Sequence, residues 1–109
     1  MSRGVLFLAL LLWMGSSPVF AQDAAKGAQV YEAQKCSVCH AIAGKGNAKG
    51  PLDAVGTTLS ADEIRAWIVD AKGMTAKTNA PRKPVMRAYT LPKEDVDALV
   101  AYLSTLKKK

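Results

Sequence analysis

Histidine occurs once in this 109-residue chain and cysteine twice. That poverty excludes several classes at once. A structural zinc site takes about four ligands, and the three N/S ligands here are packed too tightly to wrap a tetrahedron. No second thiol pair exists to form a structural disulfide. A thioredoxin-like dithiol sits in a βαβ setting, and no strand pattern of weight occurs. Internal repeats and low-complexity stretches are also absent. The longest apolar run, at residues 5–14, is too short to span a bilayer, which needs about twenty residues.

The three scarce residues stand together as Cys36-Ser37-Val38-Cys39-His40. Cys-x-x-Cys-His is the attachment signature of c-type haem. Each thiol can add to a porphyrin vinyl group to give a thioether. The two-residue gap sets both sulfurs along one edge of the flat macrocycle, and His40 falls beneath it within reach of the iron. There is room for one haem. A redox disulfide between Cys36 and Cys39 is the alternative.

The N-terminus points the same way. A basic start with Arg3, the apolar run, a Gly15-Ser16-Ser17-Pro18 break and Val19-Phe20-Ala21 form a secretory leader. No Cys follows the apolar run, which argues against a lipid anchor. Thiols sent to an oxidising compartment are normally paired or protected, and thioethers account for both. Cleavage after Ala21 takes 21 of the 109 residues and leaves 88, as one domain at 22–109. A chain this short has difficulty burying enough apolar surface, and a haem supplies what is missing. Loss of Arg3 lowers the net charge of +6 by one, to +5. The expected compartment is the periplasm.

The pattern predicts an all-α fold of three main helices and two long loops. Asp23 suits the N-cap of the first helix, with Gly27, Val30, Tyr31 and Gln34 at helical spacing before the haem motif. Ser60 and Glu63 form a capping box, opening a helix with Ile64, Trp67, Ile68 and Ala71 on one face. Gly73 is expected to end it in a left-handed cap. The last helix starts near Pro92, with Val96, Leu99, Val100, Leu103 and Leu106 as its stripe. Residues 41–59 and 74–91 are left as loops. Loops of that length argue against so small a domain unless they lie on a cofactor.

Gly50-Pro51-Leu52 fits the proximal side, where the Pro51 carbonyl is expected to accept the other ring N–H of His40 and so orient the imidazole. A plain turn is the alternative. The sixth ligand comes from Met, Lys or nothing. Met1 and Met14 depart with the leader. Met86, in the second loop, has freedom to cross the distal face. Met74 lies closer to a fixed element. A thioether ligand favours Fe(II) and raises the potential.

In the order of these pieces the chain resembles the class I, monohaem cytochromes c of bacterial periplasms. The resemblance runs from Gly27-x-x-x-Tyr31 through the haem motif, Gly50-Pro51-Leu52 and Arg65-Ala66-Trp67-Ile68 to Met86, Leu91 and residues 96–103. It implies a cytochrome c fold packed around one covalent haem. It implies crossed terminal helices, with Gly27 and Tyr31 against Leu99, Tyr102 and Leu103. It also implies His40 and Met86 as axial ligands to iron, with Trp67 near a haem propionate; a plain core Trp is the alternative. The family commonly has Pro after the ligand Met, whereas here Arg87 takes that place, leaving the loop less stiff.

Electron transfer without enzymatic turnover is the function expected. Lys35, Lys45, Lys49, Lys77, Arg82, Lys83 and Arg87 flank the motif and the Met86 loop. They are expected to steer acidic redox partners, whether reductase, oxidase, peroxidase or dehydrogenase. A scattered solubility coat is the alternative for these charges. Nucleic acid is not an expected partner. The protein is expected as a monomer or as a small subunit of a redox complex. Two other functions stand beside this one. One is a haem subunit of a periplasmic dehydrogenase or sulfur-oxidising enzyme. The other is an open-iron protein binding CO, NO or peroxide.

Overall fold

The computed structural model describes residues 19–108, and its frame is a crossed pair of helices, α1 (Val19–Ala33) and α5 (Lys93–Ser104). The crossing is close because Gly27 has no side chain. A Cβ there would run into the Ala98 carbonyl and the side chain of Tyr102. Tyr31, one turn further on, meets Tyr102 edge-on, with ring centroids 6.0 Å apart, an arrangement aromatic pairs prefer. Lys26 and Asp95 add an ion pair across the same crossing at 3.2 Å.

α5 carries the stripe that its periodicity predicts. Val96, Leu99, Val100 and Leu103 are buried, and Leu106 packs against the core in part. Pro92 is its N-cap residue. Helix α3 (Ala61–Val69) opens on the expected capping box: Ser60 Oγ accepts from Glu63 N–H at 3.1 Å, and Glu63 Oε1 from Ser60 N–H at 2.9 Å. Ile64 and Ile68 face α5, joining Val30 and Tyr31 in one cluster. Arg65 holds Asp97 of α5 at 2.7 Å.

Two local expectations are corrected. α1 begins at Val19, so Asp23 lies inside the helix rather than at its cap. No Gly or Pro occurs between Val19 and Lys26, so nothing there breaks the helix. Gly73 does not end α3. Asp70 ends it, and the Asp70 side chain accepts the Gly73 N–H at 3.2 Å to start a further helix, α4 (Ala71–Thr78). An Asp able to bond a backbone N–H two or three residues on favours a new N-terminus over a continued helix. The left-handed residue falls instead at Asn79, φ 53°, and Asn ranks next to glycine in that position.

The first loop is also less open than predicted. A two-residue antiparallel pair, β1 (Ala41–Ile42) and β2 (Lys45–Gly46), comes directly after the haem motif. A single-turn α2 (Val55–Thr58) packs on α5. α4 takes residues 74–78 from the second loop, leaving 79–92 as an extended strap. The apolar run at residues 5–14, expected as part of a leader, lies with Met1 and Met14 outside the described residues. No helix among the described residues is long and apolar enough to cross a membrane.

Gly27→Ala tests the frame. The added methyl meets backbone on α5 that cannot rotate away, so we expect a loss of about 1–3 kcal/mol. The measure is a lower guanidinium midpoint at unchanged slope.

Candidate functional site

Cys36–Val38 form one 3-10 turn immediately after α1. Lys35, with φ 58°, turns the chain out of the helix. Cys39 N–H and His40 N–H both donate to the Cys36 carbonyl, at 3.1 and 2.9 Å. Both thiols and the imidazole are thus presented from one turn. Neither cysteine is in a disulfide; Cys36 is half-buried and Cys39 exposed. Burial is the main cause that pushes the Cys36 thiol up to about 11, so it is held as S–H near neutral pH.

His40 is fixed at one nitrogen. Its Nδ1 lies 3.0 Å from the Gly50 carbonyl. A carbonyl only accepts, so Nδ1 carries the hydrogen and Nε2 keeps the lone pair. Burial lowers the His40 pKa first; the Gly50 bond opposes this, and the nearby Arg82 charge lowers it further. The ring is therefore neutral at neutral pH, the state that ligates metals. The acceptor is the Gly50 carbonyl, one residue before the Pro51 carbonyl that the sequence suggests. Pro51 is placed differently: it bridges Ala41, and Leu52 N–H donates to the Ala41 carbonyl at 2.8 Å. That bridge leaves the Gly50 carbonyl for Ala41 N–H and His40 Nδ1 together.

Asn47 closes the same wall. Its N–H lies 2.9 Å from the His40 carbonyl and 3.1 Å from that of Ser37, and its side chain donates to the Val38 carbonyl at 3.2 Å.

The opposite wall is the strap. Tyr89 N–H donates to the Ile68 carbonyl at 2.8 Å, pinning the strap to α3. The Arg87 guanidinium sits over the Tyr89 ring, 4.9 Å from its centroid, within cation–π range. Arg87 thus supplies part of the order that a proline after Met86 would have given.

Between the walls lies a cavity of about 890 Å³, and Cys36, Cys39, His40, Pro51, Trp67 and Met86 all line it. Met74 is on α4 and is not among its lining residues. Cofactor sites run to about 300–1,000 Å³ and are mostly apolar with a few placed polar groups. Leu52, Val55, Leu59, Ile64, Ile68, Leu99 and Leu103 give the cavity that apolar character. Val38 and Val85 line it too, yet stay 67% and 41% exposed. Tyr31 is also on the wall, and its buried hydroxyl has no partner among the described residues. Such a donor is normally satisfied by water or a bound group. Burial pushes this phenol up to about 12.

These residues fit a haem. Two free thiols, one neutral imidazole with its Nε2 lone pair free and one thioether share an apolar cavity of suitable size. Zinc does not fit, because no cluster of three or more His, Cys, Asp and Glu is poised for a metal among the described residues. The placement of one residue of the site escaped the sequence. Arg82 reads as another surface cation, but its guanidinium lies against Gly50 on the His40 wall, where a Cβ on Gly50 would meet Nη1 and Cζ. No local pattern marks that position.

The comparisons with known proteins agree. The family model described as Cytochrome c matches residues 24–107. Cytochrome c oxidase subunit 2 of Alkalihalophilus pseudofirmus is 36% identical over 91 residues, covering 75% of this chain and 25% of that protein. The chain thus spans a quarter of that relative's length. No solved structure matches. With the helical fold, the haem motif and the matched span in agreement, the chain belongs to the cytochrome c family.

Proposed function

We propose that this chain is a periplasmic electron carrier, working with one covalent haem c after removal of residues 1–21. Cys36 and Cys39 would hold the haem through thioethers, and His40 Nε2 and Met86 Sδ would ligate its iron. The observation that carries the reading is the shared cavity, lined by all four of these residues and not by Met74. When bound, the haem supplies a one-electron Fe(II)/Fe(III) couple. The chain supplies everything else. The Gly50 carbonyl orients His40, and burial keeps the ring neutral. The strap, tied at Tyr89 and stacked at Arg87, holds Met86 in place. Apolar side chains exclude water and keep reorganisation small. No substrate pocket is needed for this work, and the chain acts as a carrier rather than an enzyme.

Lys35, Lys45, Lys49, Lys77, Lys83 and Arg87 are exposed around the motif, α4 and the strap, and suit acidic redox partners. The open-iron reading would need Arg87, beside Met86, to handle a bound peroxide, and that guanidinium is engaged by Tyr89. A second reading draws on the likeness to an oxidase subunit, of which this chain matches a quarter. In that reading the domain serves as the haem module of a larger redox assembly. Co-purification from the native membrane fraction separates the two.

Covalent attachment is tested by intact mass under denaturing conditions. We expect the mass of the processed chain plus one haem. Cys36→Ser with Cys39→Ser should lose the haem on denaturation. A haem-free wild type, or a Cys36–Cys39 disulfide, contradicts the reading. For steering, the second-order rate of electron exchange with an acidic partner should fall as salt rises. A rate indifferent to salt contradicts the basic contact surface.

A further inference from the structure

Arg82 differs from the other cations near the haem motif. It belongs to the strap, four residues before Met86, yet its guanidinium is packed on the opposite wall. There it shares the space beside Gly50 with the Cys39 carbonyl. It is half-buried and lines the same cavity as His40. Among the described residues no carboxylate pairs with it: the three ion pairs use Lys26, Arg65 and Lys93. A guanidinium does not give up its proton in proteins, so this charge is permanent. The absence of a side chain at Gly50 is what admits it. The neighbouring Lys83 is exposed.

A permanent cation in a partly desolvated place acts on the redox centre by simple electrostatics. Oxidation of iron adds one positive charge beside it, and reduction removes that charge. A fixed positive neighbour therefore favours Fe(II). Water and salt weaken this effect for surface charges separated by more than about 8 Å at physiological ionic strength, and weaken it much less for partly buried ones.

We propose that Arg82 is a positioning residue of the haem site, which holds a fixed positive charge on the His40 wall and thereby raises the reduction potential. The proposal rests on the haem reading given above. It separates Arg82 from the exposed cations that steer partners.

The test is a spectroelectrochemical titration of the holoprotein at low and high salt. Wild type, Arg82→Gln and Lys83→Gln are compared. Arg82→Gln should shift the redox equilibrium about tenfold toward Fe(III), or about 59 mV downward for one electron, at both salt concentrations. Lys83→Gln should shift it by less than about twofold, and not at high salt. If Arg82→Gln does not accumulate, Arg82→Met keeps the aliphatic stem and removes the same charge. The proposal is overturned if the Arg82 variants move the potential no further than Lys83→Gln, or if their effect vanishes at high salt. A wild type without a reversible one-electron couple would overturn the haem reading itself, and is told apart by the wild-type titration alone.

Discussion

The hydrogen bond between His40 Nδ1 and the Gly50 carbonyl is the contact on which the site depends, and most of the short-range structure around it exists to keep those two atoms together. The 3-10 turn at Cys36–Val38 delivers the ring, and the β1–β2 pair and Asn47 fold the chain back beneath it. The Ala41–Pro51 bridge brings the Gly50 carbonyl alongside. Each of these bonds is between main-chain groups or involves one short side chain. The wall is therefore built from the chain's own bonds, and the imidazole is presented neutral with its Nε2 lone pair free. A ligand already oriented in this way loses little freedom when it binds iron.

Size is the second constraint. A domain of this length buries too little apolar surface to be generous with its core. α1, α3 and α5 make one cluster around Leu99 and Leu103, and those same two leucines also line the cavity. Core and binding site are thus one body of side chains rather than two. A flat apolar cofactor seated there would extend the core. Its loss would be felt at the helix crossing as well as at the motif. The strap then has a double attachment, Tyr89 on α3 and Arg82 on Gly50, at either side of Met86.

Much of this was legible in the residues. The haem motif, the Ser60–Glu63 box and the α5 stripe depend on neighbours within a few positions, and each appears where the spacing put it. Gly27 against α5 is a long-range contact, but the resemblance carried it. What escaped depends on competition between near-equal local choices. Asp70 capping a new helix prevailed over Gly73 ending an old one. The Gly50 carbonyl, one residue from Pro51, was selected by a strand bridge too short to show as alternation. Arg82 escaped for another reason. Nothing local distinguishes a cation that reaches across a cavity from its exposed neighbours Lys83 and Arg87. That placement comes only from how the strap passes over the Gly50 segment.

The central claim is that Met86 on the strap, and not Met74 on α4, would join His40 as a ligand of the haem iron. The most direct measurement is the absorption spectrum of the purified ferric protein in the far red, where a Met-to-iron charge-transfer band falls. The account predicts a band in the wild type that persists in Met74→Ala and vanishes in Met86→Ala. A wild type without the band, or a band lost with Met74 instead, would contradict it.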